Sequence, residues 1–430
     1  MPKLDHSRLR LFPDPARVVV RPFHIPPDPR PLNPGEVTRA RRIVDAVLAM
    51  DMRTCEAELA LVTQDFGARH WQIRAVHLER YEQIREEIGL ENRLRETRKA
   101  LIGAYFCHEY SYSAAALMNP SVVPHPDQSG LSGGAVRIVL SVRAVGEGHI
   151  SSIGFREGIV TADGEVTLMP EPPIAMAAHA CDPPSEGIPE GPVQACRYTE
   201  ASLSGTLIFP FTRAQKNGLE DLRLVRFVRD DGEAVYHGTY TAYSGSHIAS
   251  EMLTTSDFRT FDLTPMTGSA ARNKGMALFP RKIDGQYAMI GRQDGENVWF
   301  LRSDRLLDWN GGEKILTPKF PWELVQMGNC GSPIEIEEGW LLLTHGVGAM
   351  RKYAIGAVLL DRDHPTRVLG RTQAPLLSPS DETREGYVPN VVYTCGAMAV
   401  GRRLFMPFGV ADSSIAFCSA DINELVRELV

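Results

Sequence analysis

The chain has 430 residues, too many for one ordinary domain of roughly 100–200 residues and few for three. Lys and Arg number 46 against 53 Asp and Glu, a formal net charge of −7, with 43% hydrophobic and 23% charged residues. Those proportions exclude a disordered or collagen-like chain, and the mild acidity speaks against a general nucleic-acid binder without excluding a local cationic pocket.

The first residues, MPKLDHSRLRLF, lack the apolar core of a signal peptide, and apolar stretches such as Tyr353–Leu360 are too short to span a bilayer. Neither a membrane nor nucleic acid is expected as a partner. Seven cysteines (55, 107, 181, 196, 330, 395 and 418) are scattered and never spaced CxxC. That pattern predicts free thiols in a reducing cytoplasm, with no disulfide framework and no metal site. HExxH, P-loop, GxGxxG and GxSxG are all missing, so no metal or nucleotide cofactor is implied.

Residues 13–34 are rich in proline and predict an extended arm. From Glu36 to about Ala115 the pattern turns helical. In RARRIVDAVLAM the residues Ile43, Val44, Val47 and Leu48 share one face, and CEAELALVTQDF and HWQIRAVHLERYEQIREEI continue in kind. Glu79, Glu82 and Glu86 among arginines predict a solvated face with local ion pairs. Three or four helices are expected, and residues 1–115 form an arm and helical extension.

Beyond residue 118 the pattern is that of strands. VRIVLSVRAV, TLIFPF, VYHGTYTAYS, YAMIGRQ, WLLLTHGV and YAIGAVLL are separated by Gly, Asp and Asn turns. Ser256-Asp257-Phe258…Phe261 is echoed at Ser303-Asp304…Trp309, about 47 residues on, and loosely at Ser419-Ala-Asp421. That spacing falls within the period of propeller blades, and the length allows six, or five with longer connections. A pair of β-sandwiches with similar turns is the alternative from periodicity alone.

The densest polar cluster in strand context is Lys216-Asn-Gly-Leu-Glu220-Asp221-Leu222-Arg223. On a regular strand Glu220 and Asp221 alternate sides, so one carboxylate faces the pocket and the other points away. Arg272-Asn273-Lys274, Arg292-Gln-Asp294, His345, Arg351-Lys352 and Asp412 are further candidates, each weak alone.

In order, these pieces resemble glycoside hydrolase family 130, the β-mannoside phosphorylases and mannosidases. The resemblance spans roughly residues 118–420. It rests on Asn119-Pro120, Glu220-Asp221-Leu222-Arg223, Tyr240-Thr241-Ala242-Tyr243, Lys274 to Gly285, Gly339-Trp340-Leu341 with His345-Gly346-Val347, Gly356 to Asp361, and Gly386 to Val392. It implies an all-β fold, a five-bladed β-propeller over residues 116–430, preceded by the α-helical N-terminal extension. The family's general acid falls on Asp221, although Leu222 stands where its motif has proline. Asn119, Arg143, Arg223, Arg292, Asp294 and Asp412 match or neighbour sugar-binding positions, and Asn273, Lys274, His345 and Arg351 form the candidate phosphate clamp.

Inverting hydrolysis needs a second carboxylate to activate water, whereas phosphorolysis needs cations to hold a dianion. Glu323, Glu335 and Glu385 are the candidate bases for hydrolysis. Gln326 stands about where many of the family's phosphorylases carry lysine, a loss on the order of 1–3 kcal/mol in phosphate affinity. The reading adopted is an inverting phosphorylase that cleaves β-1,2-linked manno-oligosaccharides with inorganic phosphate, giving α-mannose 1-phosphate. A β-1,2-mannosidase is the main alternative; a mannosyltransferase and a non-catalytic glycan-binding propeller are the others. The partners are then a β-mannoside oligosaccharide and phosphate, with self-association through the helical extension as a further expectation.

Overall fold

A computed structural model describes residues 2–26, 37–90, 93–182, 189–381 and 383–429. It divides into two compact units, Ala16–Ser111 with Pro173–Ala177, and the remainder. Part of the proline-rich stretch expected to be an arm, residues 27–34, lies outside the described residues.

The smaller unit contains helices Arg39–Ala49, Met52–Phe66, Ile73–Ile88 and Glu96–Tyr105. Two begin on side-chain caps. Thr38 accepts from the Arg41 amide and Asp51 from the Thr54 amide, each occupying an N–H with no partner inside the helix. The apolar stripe foreseen in the first helix is real at Val44 and Val47, which pack with Cys55, Tyr81, Ile84, Leu101, Ile102 and Phe106. Glu82 pairs with Arg85 and Lys99 on the solvated side. The Val18–Pro22 strand pairs antiparallel with Cys107–Ser111, so part of the expected arm is strand.

The larger unit is mostly β. Among its described residues, antiparallel meanders follow one another at 116–168, 218–265, 277–316, 326–371 and 392–421. Neighbouring strands pair within each, except that 326–329 and 334–336 both pair with 339–347, and 392–393 and 398–400 both pair with 403–410. The strands foreseen in the sequence fall within these meanders apart from TLIFPF, whose residues 206–208 pair with the strand 151–160. The first two meanders share one sheet through a single parallel pairing, Gly218 with Ser151. The last is completed from the far end of the chain, for Asp5–Leu11 pairs with Ser414–Asp421. Residues 1–115 therefore do not all belong to one extension. Leu9 and Leu11 lie against the cluster of Phe405, Ile415 and Phe417.

The repeated Ser-Asp signals are turns that seat aromatic plugs. Thr255 and Asp257 side chains accept backbone N–H groups of the 257–260 turn, and Phe258, Phe261 and Trp309 are buried. The echo at Ser419–Asp421 differs: it lies in the final strand, and Asp421 caps the Ile422–Arg427 helix.

One expectation is overturned outright. Cys181 and Cys196 are joined in a disulfide where the strands His179–Ala180 and Val193–Cys196 pair. Widely scattered cysteines carry no signal for which strand edges will meet, so this pair was not legible. The remaining five are free thiols.

Candidate active site

The site begins with two irregularities in otherwise regular ladders. Register shifts between Met118 and Ser121 and between Glu220 and Arg223 insert bulges that carry Asn119 and Asp221. Both residues have left-handed backbones, φ 48° and 57°. The second bulge cancels the alternation expected of Glu220 and Asp221. Both carboxylates meet one guanidinium instead: Arg143 donates to Glu220 Oε1 at 2.6 Å and to Asp221 Oδ1 at 3.1 Å. Leu222, in the place of the motif's proline, turns into the apolar cluster with Leu219, Leu224 and Tyr240.

Asp221 is further held by Asn119, whose Nδ2 donates at 2.6 Å, leaving the buried Asn119 Oδ1 without a protein partner. Arg143 Nε donates to Ser151 at 2.9 Å. Arg223 is almost fully buried; it donates to the Asp221 carbonyl and, at 2.9 Å, to the Tyr393 hydroxyl. Burial alone would raise the Asp221 carboxyl. The charges of Arg143, Arg223 and Lys274 and the Asn119 hydrogen bond outweigh it and hold Asp221 well below the ordinary carboxylate range. Asp412 behaves oppositely. Burial and the negative charge of Asp221 push it up to about 6, against the pull of Arg143, Arg351 and Lys274.

Around Arg292 a second cluster forms. Arg292 Nε donates to the Lys274 carbonyl at 3.1 Å and Nη1 meets His345 Nε2 at 3.1 Å. A guanidinium can only donate, so Nε2 accepts and the ring is neutral with its proton on Nδ1. Burial first, then the charges of Arg292 and Arg223, hold His345 well below its usual value. Its ring stacks on Tyr353 and meets Tyr393 edge-on. Lys274 lies 3.8 Å from Glu220 Oε2, which links this cluster to the first. Asn273 shapes the loop beneath, accepting from the Lys274 amide and donating to the Arg292 carbonyl. Two glycines permit the packing. A Cβ on Gly275, at φ 101°, would stand 2.6 Å from Arg292 Nε, and one on Gly328 would stand 2.6 Å from His345 Cε1.

Of the sequence candidates, Asn119, Arg143, Asp221, Arg223, Lys274, Arg292 and His345 are therefore linked, directly or through one residue, and Asp412 joins them through charge. Arg292 falls beside the phosphate candidates and not among the sugar-binding ones. Arg351 is exposed, on a loop where it and Met350 are both left-handed, and acts on Asp412 through charge. Asp294 does not join. Its carboxylate accepts from the Glu296 and Asn297 amides, the Asn297 side chain and Trp299 Nε1, which holds it down at about 2 in an exposed turn. Tyr393 and Ser151 were missed: neither stands in a motif, the partner of Tyr393 lies 170 residues away, and Ser151 meets Arg143 across a hairpin only eight residues back. Left-handed non-glycine backbone gathers at Asn119, Asp221, Met350, Arg351, Ala411 and Asp412, each costing about 1–2 kcal/mol that the surrounding structure must offset.

Carboxylates interleaved with guanidinium forks, set in bulges of a mostly β unit, have the composition of a site that reads the hydroxyls of a sugar. Comparison with known proteins gives the family. The model of glycoside hydrolase family 130, described as β-1,4-mannooligosaccharide phosphorylase, matches residues 206–429, just over half of the chain, and the chain belongs to that family. A β-1,2-mannobiose phosphorylase of Listeria innocua is 34% identical over 229 residues, 52% of this chain and 63% of that protein. A 1,2-β-oligomannan phosphorylase of a Thermoanaerobacter species is 30% identical over 220 residues, 50% of this chain and 72% of its own length. The solved Listeria innocua β-1,2-mannobiose phosphorylase, in complex with β-1,2-mannobiose, superposes with a TM-score of 0.51 at 23% identity. It covers 73% of this chain and 92% of its own, a likeness of fold.

Proposed function

We propose that the protein is an inverting β-mannoside phosphorylase that cleaves β-1,2-linked manno-oligosaccharides with inorganic phosphate to give α-mannose 1-phosphate. The observation that carries this reading is where the three candidate bases for hydrolysis lie. Glu323 is fully buried, accepting from Arg371 at 2.5 Å and from the amides of Lys319 and Phe320. Glu335 is gripped by both ends of the Arg281 fork, and Glu385 is exposed on a loop. Glu323 and Glu335 are thus each committed to a guanidinium of their own, whereas Lys274 and Arg292 offer a dianion two cations next to the carboxylate cluster. The two relatives named above favour the β-1,2 linkage.

In this reading phosphate binds at Lys274, Arg292 and His345, with Asn273 and Arg351 supporting it. Asn119, Arg143, Arg223 and Asp412 hold the sugar. Neutral His345 adds no charge and orients the Arg292 guanidinium by accepting from its Nη1. Asp221 supplies the proton to the departing oxygen, directly or through a sugar hydroxyl. Its charge in the free chain is set by Arg143, Arg223 and Lys274; a bound phosphate dianion offsets part of that positive field and lets Asp221 take up the proton. Phosphate then attacks the anomeric carbon as the glycosidic bond breaks, and the configuration inverts.

The second reading is hydrolysis on the same frame, favoured by Gln326, which opens the strand paired with Val347 where a clamp lysine is expected. Incubation with β-1,2-mannobiose, with and without inorganic phosphate, decides between them. Mannose 1-phosphate formed only with phosphate is the expected result; free mannose at equal rates in both would overturn it.

The successive meanders are the proposed five blades of a propeller, with Asp5–Leu11 closing the last, and residues 16–111 are its helical extension, proposed as a surface for self-association. The proposed location is the cytoplasm, which supplies phosphate and retains a charged product. The Cys181–Cys196 disulfide is the feature that pulls against it.

A further inference from the structure

The residues so far account for the reacting sugar and the phosphate, but not for the sugar that leaves. Two aromatic side chains beside the site have no role in that account. The Tyr387 hydroxyl and His149 Nδ1 are 2.8 Å apart, with ring centroids at 5.8 Å, although 238 residues separate them in the chain. Tyr387 keeps 49% of its surface exposed.

Both members are fixed to residues of the site. His149, left-handed at φ 60°, follows the strand that carries Arg143 and stands two residues before Ser151, which accepts from Arg143. On the other flank the Val388 amide donates to the Ala411 carbonyl, next to Asp412. Gly386 packs so closely there that a Cβ would stand 2.7 Å from the Ala411 Cβ. The Tyr353 amide donates to the Asn390 carbonyl, which ties the same loop to the strand following Arg351. The pair thus joins the Arg143 loop to the Asp412 loop and presents an open ring face.

We propose that Tyr387 and His149 form the platform that receives the leaving-group sugar, which is the acceptor in the reverse reaction; the inference rests on the phosphorylase reading above. An exposed aromatic face takes the apolar C–H face of a pyranose, and the hydroxyl–imidazole pair offers polar atoms to its edge. A phosphate dianion gains little from such a surface, so the pair separates acceptor recognition from phosphate recognition.

The test is synthesis from α-mannose 1-phosphate with mannose as acceptor, using the full chain and the variants Tyr387→Ala, Tyr387→Phe and His149→Ala. Tyr387→Ala is expected to raise the acceptor KM about tenfold, and Tyr387→Phe, which keeps the ring, about threefold. The KM for mannose 1-phosphate stays within about twofold in both. An unchanged acceptor KM, or equal rises for donor and acceptor, overturns the inference. Should the wild-type chain show no phosphate-dependent turnover, the phosphorylase reading fails on its own. Calorimetric binding of β-1,2-mannobiose then decides for the platform: affinity lost in Tyr387→Ala supports it, and equal affinity overturns it. Tyr387→Phe and a melting curve guard against misfolding.

Discussion

Around Arg143 the positive charge is matched: Glu220 and Asp221 both accept from it, and Asp221 stays ionised although buried. Around Arg292 it is not, because the ring it meets is the uncharged His345 and its other partner is a backbone carbonyl. A guanidinium whose partners are neutral retains its attraction for an added anion; one already paired with two carboxylates retains little. On the proposed reading, this difference assigns proton chemistry to the first cluster and anion binding to the second. Lys274, within reach of Glu220, is where they touch.

The harshest test removes the acid. Asp221→Asn keeps the shape and the Asn119 contact but cannot donate the proton, so kcat for mannose 1-phosphate release should fall about 10³-fold or more. The phosphate KM should move little. Retention of a tenth of the wild-type kcat would break the assignment of proton transfer to this cluster. Next in size is Arg292→Ala. It should raise the phosphate KM roughly 10–100-fold while leaving the mannoside KM within a few-fold, measured by varying one substrate at saturating levels of the other. Equal rises in both would dissolve the distinction between the clusters.

A milder probe uses pH. Asp412, raised to about 6 by burial and by Asp221, holds its proton more tightly folded than unfolded. Folded stability therefore declines as pH rises from the ordinary carboxylate range towards about 6, and above that the loss stays constant. Asp412→Asn removes the loss, on the order of 2–3 kcal/mol at most. Its melting temperature should exceed the parent's at pH 8 and the advantage should vanish near pH 4. The pH–rate profile should also lose a limb near 6. A limb unchanged in the variant assigns that proton elsewhere in the site.

How much of this was legible in the sequence depends on how local each feature is. The hydrophobic period exposed the helices of 39–105 and most of the long strands, because apolar spacing along one element is a local property. The recurring Ser-Asp signal marked real turns for the same reason. The bulges were not visible: Glu220 and Asp221 obey strict alternation on paper, and only the shifted ladder with 234–243 brings both to Arg143. Asp294 was over-read, since its Asp-Gly-Glu-Asn context is that of an Asp capping its own turn. Tyr393 depends on Arg223, 170 residues away, and no local pattern announces such a pairing. The alternation of Leu9 and Leu11 in DHSRLRL did carry a signal for the first strand, but a short amphipathic run near a terminus is easily passed over.

The smallest expected effect comes from a residue with no chemistry of its own. Gly328 lies opposite His345 in the ladder between Gln326–Asn329 and Gly339–Val347. An added methyl would stand 2.6 Å from His345 Cε1 and 2.9 Å from Arg292 Cδ. The imidazole is buried against Tyr353 and Tyr393, so it has little room to yield, and the strain must pass to the Arg292 side chain. Gly328→Ala should cost about 1–3 kcal/mol of stability and a few degrees in Tm. Since the displaced groups belong to the cluster proposed to bind the anion, the phosphate KM should rise by about threefold to tenfold. The Asp221 cluster is untouched, so kcat at saturating phosphate and the shape of the pH profile should persist. If kcat falls while the phosphate KM holds, the two clusters are mechanically one, and the separation of proton transfer from anion binding fails at the point where it is most easily disturbed.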